Sequence, residues 1–163
     1  MKKVLFLMML VAFSTAVQSQ IVYNQWEATE VTDEFGDPTG ETVTSAFFEG
    51  TFSNSATTNS ELAVRVIDYG ELIVLKLYEY KSTPDAKMCY DGCFGNITVK
   101  RASGAIETYR TYAPKGGGLY YDTKDDFMEL FRNNSGETIK IVVHENNFSD
   151  YGSSKYSFTI TLP

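Results

Sequence analysis

The chain has one histidine, two cysteines and one tryptophan in 163 residues. One imidazole and two thiols leave zinc without its usual set of Cys and His ligands. No Gly-x-Ser-x-Gly elbow marks out a serine nucleophile for a Ser-His-Asp arrangement. Basic residues are scarce too: 14 Lys and Arg stand against 21 Asp and Glu, a formal net charge of −7. That balance argues against nucleic acid, which needs a basic footprint, and against anionic membrane surfaces. Beyond residue 20 the longest apolar run is Leu72-Ile73-Val74-Leu75, far short of a bilayer span. Gly116-Gly117-Gly118 precedes no Gly-Lys-Ser/Thr, so it is a loop rather than a phosphate cradle.

The N-terminus carries the one clear targeting pattern. Met1-Lys2-Lys3 is a positive n-region, residues 4–13 are apolar, and residues 14–19 are small or polar, with Val17 and Ser19 at −3 and −1. This is the layout of a secretory signal peptide over residues 1–19, cleaved before Gln20. No cysteine follows the cleavage region to take a lipid anchor. The expected mature product, residues 20–163, is a single domain of 144 residues with a net charge of −9, periplasmic or secreted. A chain of that size buries roughly 68–70% of its unfolded surface and needs no metal to fold.

Export changes the reading of Cys89 and Cys93. They flank Tyr90-Asp91-Gly92, and Asp-Gly is hairpin chemistry, so a structural disulfide across the turn is expected. Free thiols and a redox pair are the alternatives. The redox reading is the weaker, because redox motifs have two intervening residues at a helix start and here there are three.

After residue 20 the dominant hydrophobic period is two, that of half-buried strands. In 155–162 the even positions Tyr156, Phe158, Ile160 and Leu162 are apolar and the odd ones polar. Ile139, Ile141 and Val143 share one face of 138–145. Leu62, Val64 and Val66 lie along 62–67, and 72–80 is apolar on both faces, as in a covered strand. Weaker strands are expected at 22–31, 42–52, 96–101 and 106–112. Asp68-Tyr69-Gly70 and Ala102-Ser103-Gly104 are turns tight enough for hairpins. One stretch breaks the period: Phe127, Leu130 and Phe131 recur at helical spacing behind Thr123, a plausible N-cap. The expected fold is all-β, an antiparallel β-sandwich or partly open barrel of about eight strands with one short α-helix near 124–132.

Candidate sites are few. His144 lies opposite the Ile139/Ile141/Val143 face, which suits an exposed or half-buried side chain. Asp33, Asp37 and Glu41, with Glu34, surround a Gly-Asp-Pro-Thr-Gly turn. Their oxygens suit calcium, although the order of a dedicated calcium loop is absent and a solvated acidic loop is the leading explanation. The 21 acids make some glycosidase-like carboxylate pair inevitable, so their number does not indicate one. Aromatic residues reach 14%, with eleven Tyr. Tyr78, Tyr80, Tyr109, Tyr112, Tyr120 and Tyr121 are candidates for a shared binding surface, either a glycan platform or a protein contact, unless they only finish sheet edges.

The order of elements resembles that of the periplasmic accessory proteins associated with bacterial type VI secretion. The points of likeness are Trp26 with Thr32-Asp33-Glu34, the strand Leu62-Ala63-Val64-Arg65-Val66, the helical stretch at 126–131, the strand at 139–143 and the ending Phe158-Thr159-Ile160-Thr161-Leu162. Val66 stands where that family often has Cys, and Thr161 replaces its final Gly. The resemblance implies an exported β-sandwich and carries over no catalytic residue. The expectation is therefore a non-enzymatic exported protein acting through contacts with an envelope or secreted protein partner, without a cofactor unless calcium. The alternative is a carbohydrate- or surface-binding module using exposed tyrosines. A small secreted hydrolase is the third possibility.

Overall fold

The computed structural model describes residues 21–82, 89, 92–115, 118–120, 126–148 and 153–163. The expected signal region, Thr123 and Tyr121 lie outside the described residues. In chain order the elements are β1 (Glu27–Thr32), β2 (Pro38–Ser53), β3 (Ser60–Asp68), β4 (Ile73–Glu79), β5 (Cys93–Lys100), β6 (Ile106–Ala113), β7 (Leu119–Tyr120), α1 (Asp126–Asn133), β8 (Thr138–His144) and β9 (Lys155–Thr161). A 3-10 turn, Glu145–Asn147, follows β8.

The strands form one antiparallel sheet in the order β1-β2-β3-β4-β7-β6-β5-β8-β9, and β2 pairs a second time with β9. That second ladder, Gly50↔Phe158 to Ser53↔Lys155, curls the sheet round so that its far strand returns to β2. The fold is all-β as expected, and of the two forms considered the curled barrel is the one adopted, since a sandwich would need two separate sheets. The wall is thinnest at β7, which meets β4 over two residue pairs and β6 over one.

Alternation dictates which side chains fill the interior. β2 turns Ala46, Phe48 and Phe52 inward, β3 Leu62, Val64 and Val66, and β4 Ile73, Leu75 and Leu77. β8 supplies Ile139, Ile141 and Val143, and β9 supplies Tyr156, Phe158 and Ile160, with Leu162 just beyond. Burying each such side chain is worth roughly 1.5–3 kcal/mol. On β4 the outward Val74 is buried as well, while Lys76 and Tyr78 are half-buried, so the expected second apolar face is covered in part.

The helix begins at Asp126 and sets Phe127, Met128, Leu130 and Phe131 into the same core. Phe127 meets Tyr109 of β6 with ring centroids 5.1 Å apart. Arg132 Nη2 donates to the Gly70 carbonyl in the β3–β4 turn at 2.5 Å. The helix therefore closes the barrel end where the β3–β4 and β5–β6 turns lie. Asn134 Nδ2 donates to the Leu130 carbonyl at 2.9 Å, which stops the last turn.

Candidate binding surface

The candidate tyrosines whose side chains are described, Tyr78, Tyr80, Tyr109 and Tyr112, do not form one surface. Tyr109 is inside the barrel, 8% exposed and packed on Phe127. Tyr78 is half-buried on the outer face of β4, 6.4 Å from the Phe47 ring. Tyr80 lies at the opposite barrel end from α1, its ring edge-on to Phe52 at 4.8 Å. Tyr112 and Tyr120 are partners in register on β6 and β7. These four thus separate into an interior ring, a covering ring, an outer-wall ring and Tyr112, whose backbone register partner is Tyr120.

Around Tyr112 the structure adds two residues that periodicity alone had not singled out. Phe94 on β5 is the register partner of Tyr112. Their ring centroids are 5.0 Å apart at an interplanar angle of 49°, with Phe94 57% and Tyr112 37% exposed. Arg110, two residues before Tyr112, sets its guanidinium 4.3 Å from the Phe94 centroid, a cation–π contact on a solvent-facing wall. Underneath, the same strands hold Ile97 and Ala113, so the barrel core is complete without these outward rings. Phe94, Tyr112 and Arg110 are an exposed aromatic and cationic patch of the composition that anchors interfaces.

Two further polar places are built into the fold. At the β5–β6 turn, Arg101 Nε and Nη2 donate to Glu137 Oε1 and Oε2 at 2.8 and 2.5 Å, and Nη2 donates to Asn134 Oδ1 at 2.8 Å. Glu107 stands 3.6 Å from Arg101 Nη1 and accepts from the Tyr109 hydroxyl. The hydrogen bonds from Arg101 hold the Glu137 carboxyl below the usual carboxylate range, against the opposing effect of burial, and the Ala102 N–H helps. A groove of about 520 Å³ opens beside this cluster, bordered by Glu129 and Asn133. Because Arg101 already faces two glutamates, the cluster joins the β5–β6 turn to the α1–β8 connection and offers no unpaired cation to an anionic ligand.

A smaller hollow of about 260 Å³ lies on the outer face of β1 to β3, between Ile21, Val22, Phe47 and Arg65. Arg65 rests 5.5 Å from the Phe47 centroid and donates through Nη2 to Ser45 Oγ at 3.2 Å. Its Nε is buried without a partner among the described residues.

Cys89 and Cys93 are both half-buried free thiols set beside each other. Burial, with the adjacent Cys89 thiol, pushes the Cys93 thiol up to about 12, so it stays protonated and weakly nucleophilic near neutrality. His144 closes β8, half-buried and opposite Lys155.

Asp33, Asp37 and Glu41 do not assemble into a cation site. Among the described residues no three His, Cys, Asp or Glu side chains gather to share an ion. Asp33 Oδ1 instead accepts the N–H groups of Phe35 and Asp37, both at 2.9 Å, and closes its own turn. No helix among the described residues is long and apolar enough to cross a membrane.

These features define a helix-capped, antiparallel curled β-barrel with an aromatic patch on its outer wall. In comparisons with known proteins, no family model, no curated protein and no solved structure matches this chain.

Proposed function

We propose that this chain is an exported, non-enzymatic binding protein that works through contacts with an envelope or secreted protein. The observation that carries the reading is the patch of Phe94, Tyr112 and Arg110. Solvent-facing aromatic rings backed by a complete core contribute little to folding, and Tyr and Arg are the residues that dominate protein interfaces. The geometry favours a protein over a glycan. The two rings meet at 49° and one face of Phe94 is occupied by Arg110, which leaves no coplanar pair of faces for a sugar chain to lie on. Export through residues 1–19 and a bridge between Cys89 and Cys93 belong to the same proposal. In an oxidising compartment the two thiols would surrender two protons and two electrons to a disulfide oxidant.

The test is a photoreactive phenylalanine analogue at position 94, expressed in the host of origin, with the exposed Thr108 as the control position. A discrete protein adduct at 94, lost with Tyr112→Ala, is expected. Adducts no different from those at 108, or a turnover by the purified protein that one side-chain substitution abolishes, would overturn the reading. Calorimetric titration against soluble glycans should stay flat.

A further inference from the structure

Beyond its first two pairs, Glu27↔Ser45 and Ala28↔Thr44, the β1–β2 hairpin leaves the barrel wall. β3 accompanies β2 only from Thr44 onward, and β9 only from Gly50, so residues 38–43 of β2 have β1 as their partner. Six residues at about 3.3 Å each carry the hairpin roughly 20 Å beyond the last β3 pairing. Both faces of this arm meet solvent. Every residue from 27 to 42 is exposed except Val31, which is half-buried. A two-stranded hairpin is marginal by itself in water, so its turn must be held from within. Asp33 Oδ1 closes the turn as described, the Gly36 N–H donates to the Asp33 carbonyl at 3.1 Å with φ +86°, and Thr39 Oγ1 donates to the Val31 carbonyl at 2.9 Å. The result is a fixed tip that presents Phe35, 82% exposed and without an aromatic contact among the described residues.

The charge of the molecule is concentrated on the same arm. Glu27, Glu30, Asp33, Glu34, Asp37 and Glu41 lie on it with no Lys or Arg, whereas residues 44–163 carry fifteen acids against twelve bases. None of the six acids enters an ion pair among the described residues. An anionic lipid surface would be repelled. A second copy would bring six like charges against six, and Glu27 and Glu30 on the outer edge of β1 oppose strand pairing between copies. The complementary occupant is a protein surface rich in Lys and Arg around an apolar socket, in which the charges steer the encounter and Phe35 anchors it.

We infer that the β1–β2 arm is a second docking element of this protein, beside the Phe94 patch, with Phe35 entering an apolar socket on a basic protein partner. This rests on the reading of the chain as a protein-binding protein and names both the element and the chemistry of its partner.

The experiment uses the full chain with a photoreactive phenylalanine analogue at position 35, at 94, or at the exposed control position 106. Adducts are identified by mass spectrometry, and each captured protein is purified and titrated against unmodified and Phe35→Ala protein. The expected result is an adduct specific to 35 whose crosslinked segment is Lys- and Arg-rich. Its affinity should fall on the order of tenfold or more with Phe35→Ala, and again on raising salt from about 0.05 to 0.5 M, where screening shortens the reach of the charges. Capture of another copy of this chain, affinity unchanged by Phe35→Ala, or adducts no different from those at 106 would overturn the inference. Adducts at 94 with none at 35 would remove the arm while leaving the binding function in place. Specific adducts at neither position would remove both.

Discussion

Arg101 shows how a single exposed turn is made rigid. Its guanidinium is shared by Glu137, Asn134 and Glu107, three groups from the turn before β8, the helix end and β6. Glu137→Gln should cost about 1–3 kcal/mol near neutral pH, because the paired cation loses its charged acceptor. The pH dependence has a definite sign. The folded carboxyl is held below its unfolded value of about 4.3, so its contribution is present above that value and lost as pH falls through the folded one. Thermal melts from pH 7 to 2.5 should therefore show the wild type and Glu137→Gln converging on the acid side; parallel curves would contradict the assignment. Thr111 makes the opposite kind of prediction. Its Oγ1 is buried with no partner among the described residues, so Thr111→Val should raise stability by about 1 kcal/mol in denaturant titration. Cys93, with its thiol near 12, should react slowly with maleimide at pH 7.5 in the folded reduced protein and rapidly once unfolded. After export the intact mass should be lower by two hydrogens if the expected bridge forms. The closeness of the two cysteines was legible from their spacing, with three residues between them in the sequence. The interior place of Tyr109 was not, because β6 carries tyrosine on both faces and alternation alone does not say which one turns inward. Phe94 could have been found: it shares parity with Asn96, Thr98 and Lys100, and an aromatic on an otherwise polar face has no core to serve.

At the scale of elements, the eight strands expected from the period-two pattern are all present, shifted by a few residues at their ends. The ninth, β7, is two residues long and follows a run of glycines, so no alternation exists to read. What the pattern also could not show is how the sheet curls, since closure depends on pairings between strands about a hundred residues apart. Gly50 is where that closure happens. It faces Leu62 on β3 and Phe158 on β9, and a Cβ there would stand 2.7 Å from both the Phe158 Cβ and the Ser157 carbonyl oxygen. Neither is the far end of a flexible side chain, so Gly50→Ala should force β2 and β9 apart and cost about 1–3 kcal/mol. Hydrogen exchange should locate the loss of protection at Phe52, Tyr156 and their neighbours in the β2–β9 ladder. Protection unchanged there would mean that the barrel closes without the glycine.

Taken whole, the molecule has two parts with different physics. The barrel mixes charges of both signs to a net −3 over residues 44–163, is filled by apolar side chains and is capped by α1, while the arm holds most of the net charge and almost no buried surface. A segment that buries so little cannot contribute much to global stability, and an exposed, acidic arm keeps its shape through its own ladder and turn bonds. Replacing residues 30–42 by Asn-Gly joins Thr29 to Val43, which are already register partners, through the two-residue turn that hairpins prefer. The shortened protein should melt within a few degrees of the full chain, because the core from Ala46 onward and the Trp26 indole N–H on the Thr161 carbonyl at 2.8 Å are untouched. Its net charge should go from −7 to −2 for the full chain, or from −9 to −4 after removal of residues 1–19, with the loss of five acids, visible as a large shift on isoelectric focusing. A steep loss of melting temperature would mean that the arm braces β2 and is part of the fold. An unchanged melt would mean that thirteen residues, five of them acidic, are retained for something other than folding, which is the condition the docking role requires.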